Sequence, residues 1–302
     1  MKDIYECIII GGGIAGLQAA IQLGRYKHDI LVIDSNYGRS TLCKNYHNIL
    51  GWPDGVSGET LRELGRNHAE KYGVHFSKDK VIKCTEQDGS IMIETATGKL
   101  YQTKTILLAT GVMDRLPDIP NIKSCLGLTI YVCPDCDGYE VSDKSVLVLG
   151  AGKAGANMAL TLTYWTKDIV YINHEEPDIE DPLKEKLVHS NIAYKHEPIR
   201  EVLAEDGSIF KGVKLENGET LYADRGFIAF GGNKVYSDLA EQLGVKLMEN
   251  RHVQVDPRTK ETSVSNVWAA GDIVAHSEQS TIAMGEGAQA AIWIHKRLLG
   301  QK

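Results

Sequence analysis

Cys7-Ile8-Ile9-Ile10-Gly11-Gly12-Gly13-Ile14-Ala15-Gly16 decides how this chain folds. An unbroken apolar run reads as a strand buried on both faces, as in a parallel sheet. A G-x-G-x-x-G follows at once, and Ile14, Leu17 and Ile21 then recur at helical spacing. The next apolar run, Ile30-Leu31-Val32-Ile33, ends in Asp34, an acid about 20 residues beyond the glycines. Strand, glycine turn, helix, strand and acid stand where a dinucleotide-binding unit needs them. Gly11 makes the tight turn, Gly13 admits a pyrophosphate to the backbone, and Gly16 lets the helix pack on the strand. The helix N-terminus faces the anion, and Asp34 accepts from a ribose hydroxyl.

The unit recurs. Val146 to Leu149 is apolar, Gly150-Ala151-Gly152-Lys153-Ala154-Gly155 repeats the glycines, and a helix around Ala154–Thr163 leads to the strand Ile169-Val170-Tyr171-Ile172. Two such units predict an α/β chain of two Rossmann-like three-layer domains. His174-Glu175-Glu176 follows the second strand. A carboxylate there suits a free 2′-hydroxyl and repels a 2′-phosphate, which normally wants arginine. The sequence places no arginine nearby. Residues 35–60 read as a loop, Leu61–Tyr72 as an amphipathic helix, and Val81–Glu94 as two strands about Asp88-Gly89. Ile106–Ala109 is a strand closed by Thr110-Gly111. Pro117 and Pro120 mark a crossing between domains. Leu203–Leu221 is a hairpin region with turns at Asp206-Gly207 and Asn217-Gly218, and Phe227–Phe230 is a strand. The strand Val267–Ala270 ends in Gly271-Asp272, read as a cofactor contact. The helix Thr281–Leu299 carries Gly285, Gly287, Ala288, Ala290 and Ala291, small enough for tight packing.

Cys133-Pro134-Asp135-Cys136-Asp137-Gly138 holds the other chemistry. C-x-x-C spacing lets two thiols close a small disulfide ring, and a helix N-terminus lowers a thiol pKa. Three readings stand: a redox pair, half of a zinc site, or unrelated cysteines. A structural zinc site needs four N or S ligands; no second C-x-x-C or H-x₃₋₅-H follows, which favours the redox pair. His47, His174, His276 and His295 are single histidines with no motif around them, and none is assigned a role.

The 302 residues carry a net charge of −7 with no basic block, which argues against nucleic acid or an anionic membrane as partner. Six cysteines with Cys7, Cys43, Cys84 and Cys125 scattered fit a reducing compartment with one special pair. No apolar run reaches the length of a membrane span, and no signal peptide is read, so the cytoplasm is expected.

On Gly11–Gly16, Asp34, Ala109-Thr110-Gly111, Cys133–Gly138, Gly150–Gly155, Ala270-Gly271-Asp272 and the Gln279 segment, the chain resembles the low-molecular-weight thioredoxin reductases over nearly its whole length. The resemblance implies a discontinuous FAD domain (1–112 and 233–302) with an inserted pyridine-nucleotide-like domain (113–232), in a homodimer. It implies that Gly11, Gly13 and Gly16 hold the FAD pyrophosphate, Asp34 the ribose and Asp272 the ribityl chain. Asn48, Thr110, Gly111 and Gln279 would belong to the same site. Gly150, Gly152, Gly155 and Glu175 would meet a nicotinamide nucleotide. Cys136 would lie nearest the flavin, Cys133 would attack the partner disulfide, and Asp137 would serve as general acid–base. The partner would be a thioredoxin-like protein or a small disulfide or dithiol.

Two departures stand out. His174-Glu175-Glu176 replaces the His-Arg-Arg of NADPH-using members, and Gly38-Arg39-Ser40 replaces Gly-Gly-Gln. The first points to NADH rather than NADPH. Both leave open a dithiol oxidase of the gliotoxin type using oxygen, a ferredoxin-dependent reductase, or a flavin-binding redox sensor.

Overall fold

The computed structural model describes residues 4–175, 178–275 and 277–301. It divides into two compact units: Met1–Thr41, Gly58–Met113 and Lys234–Lys302 form the first, and Leu42–Ser57 with Asp114–Asn233 the second.

The first unit grows from the apolar runs. Tyr5–Ile10 pairs in parallel with Ile30–Asp34 and Leu100–Leu108, with Ile8 opposite Leu31 and Ile106. His75–Lys78 extends the sheet at one side, and Val267–Ala269 runs parallel to Leu100–Leu108. The antiparallel strands Val81–Gln87 and Ser90–Thr95 join through Leu100–Leu108. Alternate residues of one strand enter opposite cores: Ile8 and Ile10 pack with Leu31 and Ile106, while Cys7 and Ile9 pack with Val32 and Leu107. That two-sided burial explains why these strands lack polar alternation. Helices Ile14–Arg25 and Ser280–Leu298 cover one face through Ala15, Ala19, Ala290 and Ala291. A Cβ on Gly287 would stand 2.2 Å from the Ala15 carbonyl oxygen, so the expected tight packing is real.

The second unit repeats the plan. Its parallel sheet runs Ala193–His196, Ile169–Asn173, Val146–Gly150, Arg225–Ala229, Ile130–Tyr131. Val146–Gly150 is buried at every position. A three-stranded antiparallel sheet, Ile199–Glu205, Ile209–Leu215 and Thr220–Tyr222, packs into the same core through Val202, Phe210 and Val213. Its first turn has positive φ at both Asp206 and Gly207, the backbone that this dipeptide favours.

Two expected boundaries move. The helix expected from Leu61 starts at Gly58, because its polar first turn, with Glu59 at the positive end, needs no burial. Residues Arg39–Leu42 form a helical turn inside the expected loop. Among the described residues no helix is long and apolar enough to cross a membrane.

Candidate active site

The first glycine loop is shaped by contact. A Cβ on Gly11 would stand 2.2 Å from the Ala109 carbonyl oxygen, and one on Gly16 would stand 2.0 Å from that of Gly11. Gly13 differs: its nearest neighbour is Ser40 Oγ at 4.0 Å, so its outer side is open. Gly13 is the N-cap of Ile14–Arg25, and among the described residues no side chain caps that end and no acid lies in its first turn. The positive end of the helix is left to an anion. Asp34, only 5% exposed, accepts at Oδ2 from Arg62 at 2.7 Å. Arg62 also donates to Asn36 Oδ1 and the Gly12 carbonyl, which fixes the acid against the loop. Sequence reasoning missed Arg62, since nothing in a polar helix marks which residue turns inward. The open cradle and the held carboxylate fit the pyrophosphate and ribose of FAD.

The other expected contacts of this unit split into two groups. Thr110 Oγ1 donates to the Tyr236 carbonyl at 2.6 Å, and the Gly111 carbonyl accepts from Tyr236 N–H at 3.0 Å. This pair pins a neighbouring strand. Asp272 accepts from Arg39 at 3.1 Å, and Arg39 also bonds Glu278. Gln279 is the N-cap of the last helix, its carbonyl accepting from Ala283. The Gly271 N–H donates to Glu286 Oε2 at 2.9 Å, and Lys260 Nζ reaches Glu286 Oε1 at 2.8 Å. Glu286 and Lys260 are nearly buried, so this ion pair holds the turn that presents Asp272. Its only sequence signal was a lone carboxylate among the small residues of Gly285-Glu286-Gly287.

In the second unit, Cys133 and Cys136 are joined in a disulfide. The two sulfurs are bonded to each other, the form that a dithiol pair takes when oxidised. The strand Ile130–Tyr131 ends just before it. Cys133 caps the short helix Pro134–Asp137, and its carbonyl accepts from Cys136 N–H at 3.2 Å and Asp137 N–H at 3.0 Å. Pro134 at the first helical position sacrifices no hydrogen bond there. Burial pushes the Asp137 carboxyl up to about 6, with Glu140 adding to the rise and His47 opposing it. His47 Nδ1 lies 3.8 Å from both Asp137 Oδ1 and Glu140 Oε1. Asn45 Nδ2 donates to His47 Nε2 at 2.8 Å, which leaves the proton on Nδ1, facing the carboxylates. His47, assigned nothing from sequence, is thus part of this site. The remaining thiols are quiet: burial pushes Cys7, Cys43 and Cys84 to about 12, and it raises Cys125 too.

The second glycine loop closes on itself more than the first. Gly152 N–H donates to Oδ1 of the fully buried Asn173 at 2.8 Å, and Tyr171 donates its hydroxyl to the Gly152 carbonyl at 2.7 Å. Gly155 lies against the Tyr171 ring, where a Cβ would stand 2.3 Å away. A Cβ on Gly150 would meet the Ala229 carbonyl at 2.6 Å.

One expectation is corrected here. The sequence placed no arginine near Glu175, yet Arg115, 60 residues away in the chain, forks onto it at 2.8 and 2.9 Å. The fold brings the domain crossing back over the end of the strand Ile169–Asn173, a return no local pattern reveals. Glu176 and His276 lie outside the described residues. His174 is structural: its Nδ1 accepts from Ile199 N–H at 2.8 Å, and burial lowers its pKa from the ordinary histidine value. His295 bonds His28 at 2.8 Å, likewise away from the cysteines in sequence and grouping. Asn48 is exposed on the 42–57 segment of the second unit.

Residues 5–287 match the family model of pyridine nucleotide-disulphide oxidoreductases. The chain belongs to this family. It is 29% identical to the thioredoxin reductase of Aquifex aeolicus, covering 99% of this chain and 95% of that one. To the thioredoxin reductase of Streptomyces coelicolor it is 28% identical, covering 97% and 93%. The crystal structure of TrxB from Bacillus anthracis superposes with a TM-score of 0.85 at 29% identity, over 98% of this chain and 99% of that one. The two Rossmann-like folds agree with these relatives. The chain is an FAD-dependent oxidoreductase of the thioredoxin reductase type.

Proposed function

We propose that this enzyme moves two electrons from a nicotinamide nucleotide, through FAD and the Cys133–Cys136 pair, to the disulfide of a thioredoxin-like protein. The observation that carries the reading is the Cys133–Cys136 disulfide beside Asp137, a carboxyl that exchanges its proton near neutral pH. In this reading the first unit is the FAD domain and the second the pyridine-nucleotide-like domain. Gly11, Gly13, Gly16, Asp34 and Asp272 hold FAD, with Thr110, Gly111 and Gln279 around it. Bound FAD supplies the two electrons that open the disulfide.

The residues of this chain do the rest. The Cys133 thiolate attacks one sulfur of the partner disulfide, and the other partner sulfur leaves as a thiolate. Cys136, as thiolate, then attacks Cys133 Sγ. The Cys133–Cys136 bond re-forms and the second partner thiolate departs. The partner gains two electrons and takes up two protons. Asp137 delivers and receives protons at the cysteine sulfurs, with His47 Nδ1 turned towards its carboxylate. NADH is the proposed donor, because Glu175 still presents a carboxylate to the ribose; Arg115 narrows the margin over NADPH.

Purified enzyme should be yellow and reduce a thioredoxin-like disulfide with NADH. Oxygen uptake with a small dithiol, together with no disulfide reduction from either nucleotide, would replace this reading by a dithiol oxidase. A homodimer is proposed as the assembly, and light scattering checks it.

A further inference from the structure

In the second sheet the strand Val146–Gly150 lies between Ile169–Asn173 and Arg225–Ala229, all parallel. The glycine loop therefore leaves the middle strand, Glu175 follows one neighbour and Phe230-Gly231 the other. Arg115 bonds both sides: Nη1 and Nη2 hold Glu175, Nη2 reaches the Phe230 carbonyl at 2.7 Å, and Nε reaches that of Gly231 at 3.0 Å. Its guanidinium thus spans the carboxyl edge of the sheet beside the loop, where open α/β sheets bind ligands. Two of these bonds go to backbone carbonyls and two to the Glu175 carboxylate, and each partner of the ion pair keeps the other charged.

We infer that Arg115 and Glu175 form a charge pair that sets the nucleotide preference, Arg115 turning from Glu175 to a 2′-phosphate when one arrives. This rests on the reading that the Gly150–Gly155 loop takes a pyridine nucleotide. A bare Glu175 would repel a 2′-phosphate; paired, it presents no net charge. The two side chains are 40% and 33% exposed, so a ligand can reach the pair, and exposed pairs of this kind are weak enough to exchange. A planar guanidinium matches phosphate oxygens as well as it matches a carboxylate. With a 2′-hydroxyl, Glu175 instead stays on Arg115 and accepts from the ribose through its remaining lone pairs. The arginine thus favours the phosphate and the glutamate the hydroxyl. Removing one member should tilt the preference towards the ligand of the other.

The test uses the FAD-loaded protein and measures dissociation constants of NAD⁺ and NADP⁺ by calorimetry, so that no turnover is needed. Glu175→Gln should raise the affinity for NADP⁺ relative to NAD⁺ by about tenfold, and Arg115→Met should lower it by about tenfold, each a shift of about 1.4 kcal/mol. Arg115→Lys keeps the charge without the fork and should fall between wild type and Arg115→Met. Retained flavin and unchanged circular dichroism show that each variant is folded. Nucleotide binding with a ratio that does not move, or that moves the same way in Glu175→Gln and Arg115→Met, would overturn the inference alone. No binding of either nucleotide by any form would overturn it together with the reading of the loop.

Discussion

At the scale of single residues, Asp137 makes a pH prediction with a definite sign. Its carboxyl in the folded protein sits at about 6, above the usual carboxylate range, chiefly because it is buried. A group raised in this way contributes stability when protonated, below about pH 4, and loses that contribution as pH rises through about 6. At pH 7 to 8 the ionised carboxylate is therefore a burden on the fold, on the order of 2 kcal/mol. Asp137→Asn should raise the melting temperature of the oxidised protein at pH 7.5 and leave it unchanged near pH 4, while slowing thiol exchange at both. An equal gain at the two pH values would mean that the carboxylate is not strained by burial. His47→Asn should move the pH dependence of thiol exchange further upward, since His47 opposes the effect of burial on Asp137. The cysteine spacing and the place of Asp34 at the end of a strand could be read from sequence because both are local features. Arg62, Arg115 and His47 could not, because each acts on a partner that only the fold brings near.

Secondary-structure elements were legible where periodicity was strong. The buried parallel strands and the Asp-Gly turns stand where they were expected; the polar first turn of Gly58–Glu70 and the short turn Arg39–Leu42 offered no apolar period to read. The last helix shows how an element can serve two ends. Gly287 seats it against Ala15, and the adjacent Glu286 reaches Gly271 and Lys260. Gly287→Ala would force the Ala15 carbonyl away, costing at least about 2 kcal/mol by overpacking. Glu286→Leu should cost about 3 kcal/mol, because it leaves Lys260 buried and unpaired. Adding Lys260→Met should recover most of that loss, since removing both charges of a buried pair is close to neutral. FAD retention should not recover, because the bond from the Gly271 N–H to Glu286 is still gone and the Asp272 turn is held less tightly. Urea denaturation and flavin release on filtration measure the two effects separately; recovery of both in the double variant would reduce Glu286 to a packing residue.

Across the whole molecule, each unit has its own sheet and its own buried core: Ile8, Val32 and Trp268 belong to the first, Val148, Phe210 and Phe227 to the second. FAD, in the proposed reading, draws its pyrophosphate and ribose contacts from the first unit. A ligand stabilises only the fold that binds it, by about 2.7 kcal/mol at a hundredfold excess over its dissociation constant. Stripping FAD should therefore lower the melting of the first unit and leave the second nearly where it was, turning one transition into two. The tryptophans report on them separately: Trp268 and Trp293 lie in the first unit, Trp52 and Trp165 in the second. In stripped protein, Trp165→Phe with Trp52→Phe should follow the early transition, and Trp268→Phe with Trp293→Phe the late one. Returning FAD should raise the early transition alone. Asp34→Ala, which in the proposed reading removes the ribose acceptor, should melt early even with FAD added at the concentration that restores wild type. A single transition for both tryptophan pairs at every FAD concentration would mean that the two cores unfold as one, and that FAD supports both.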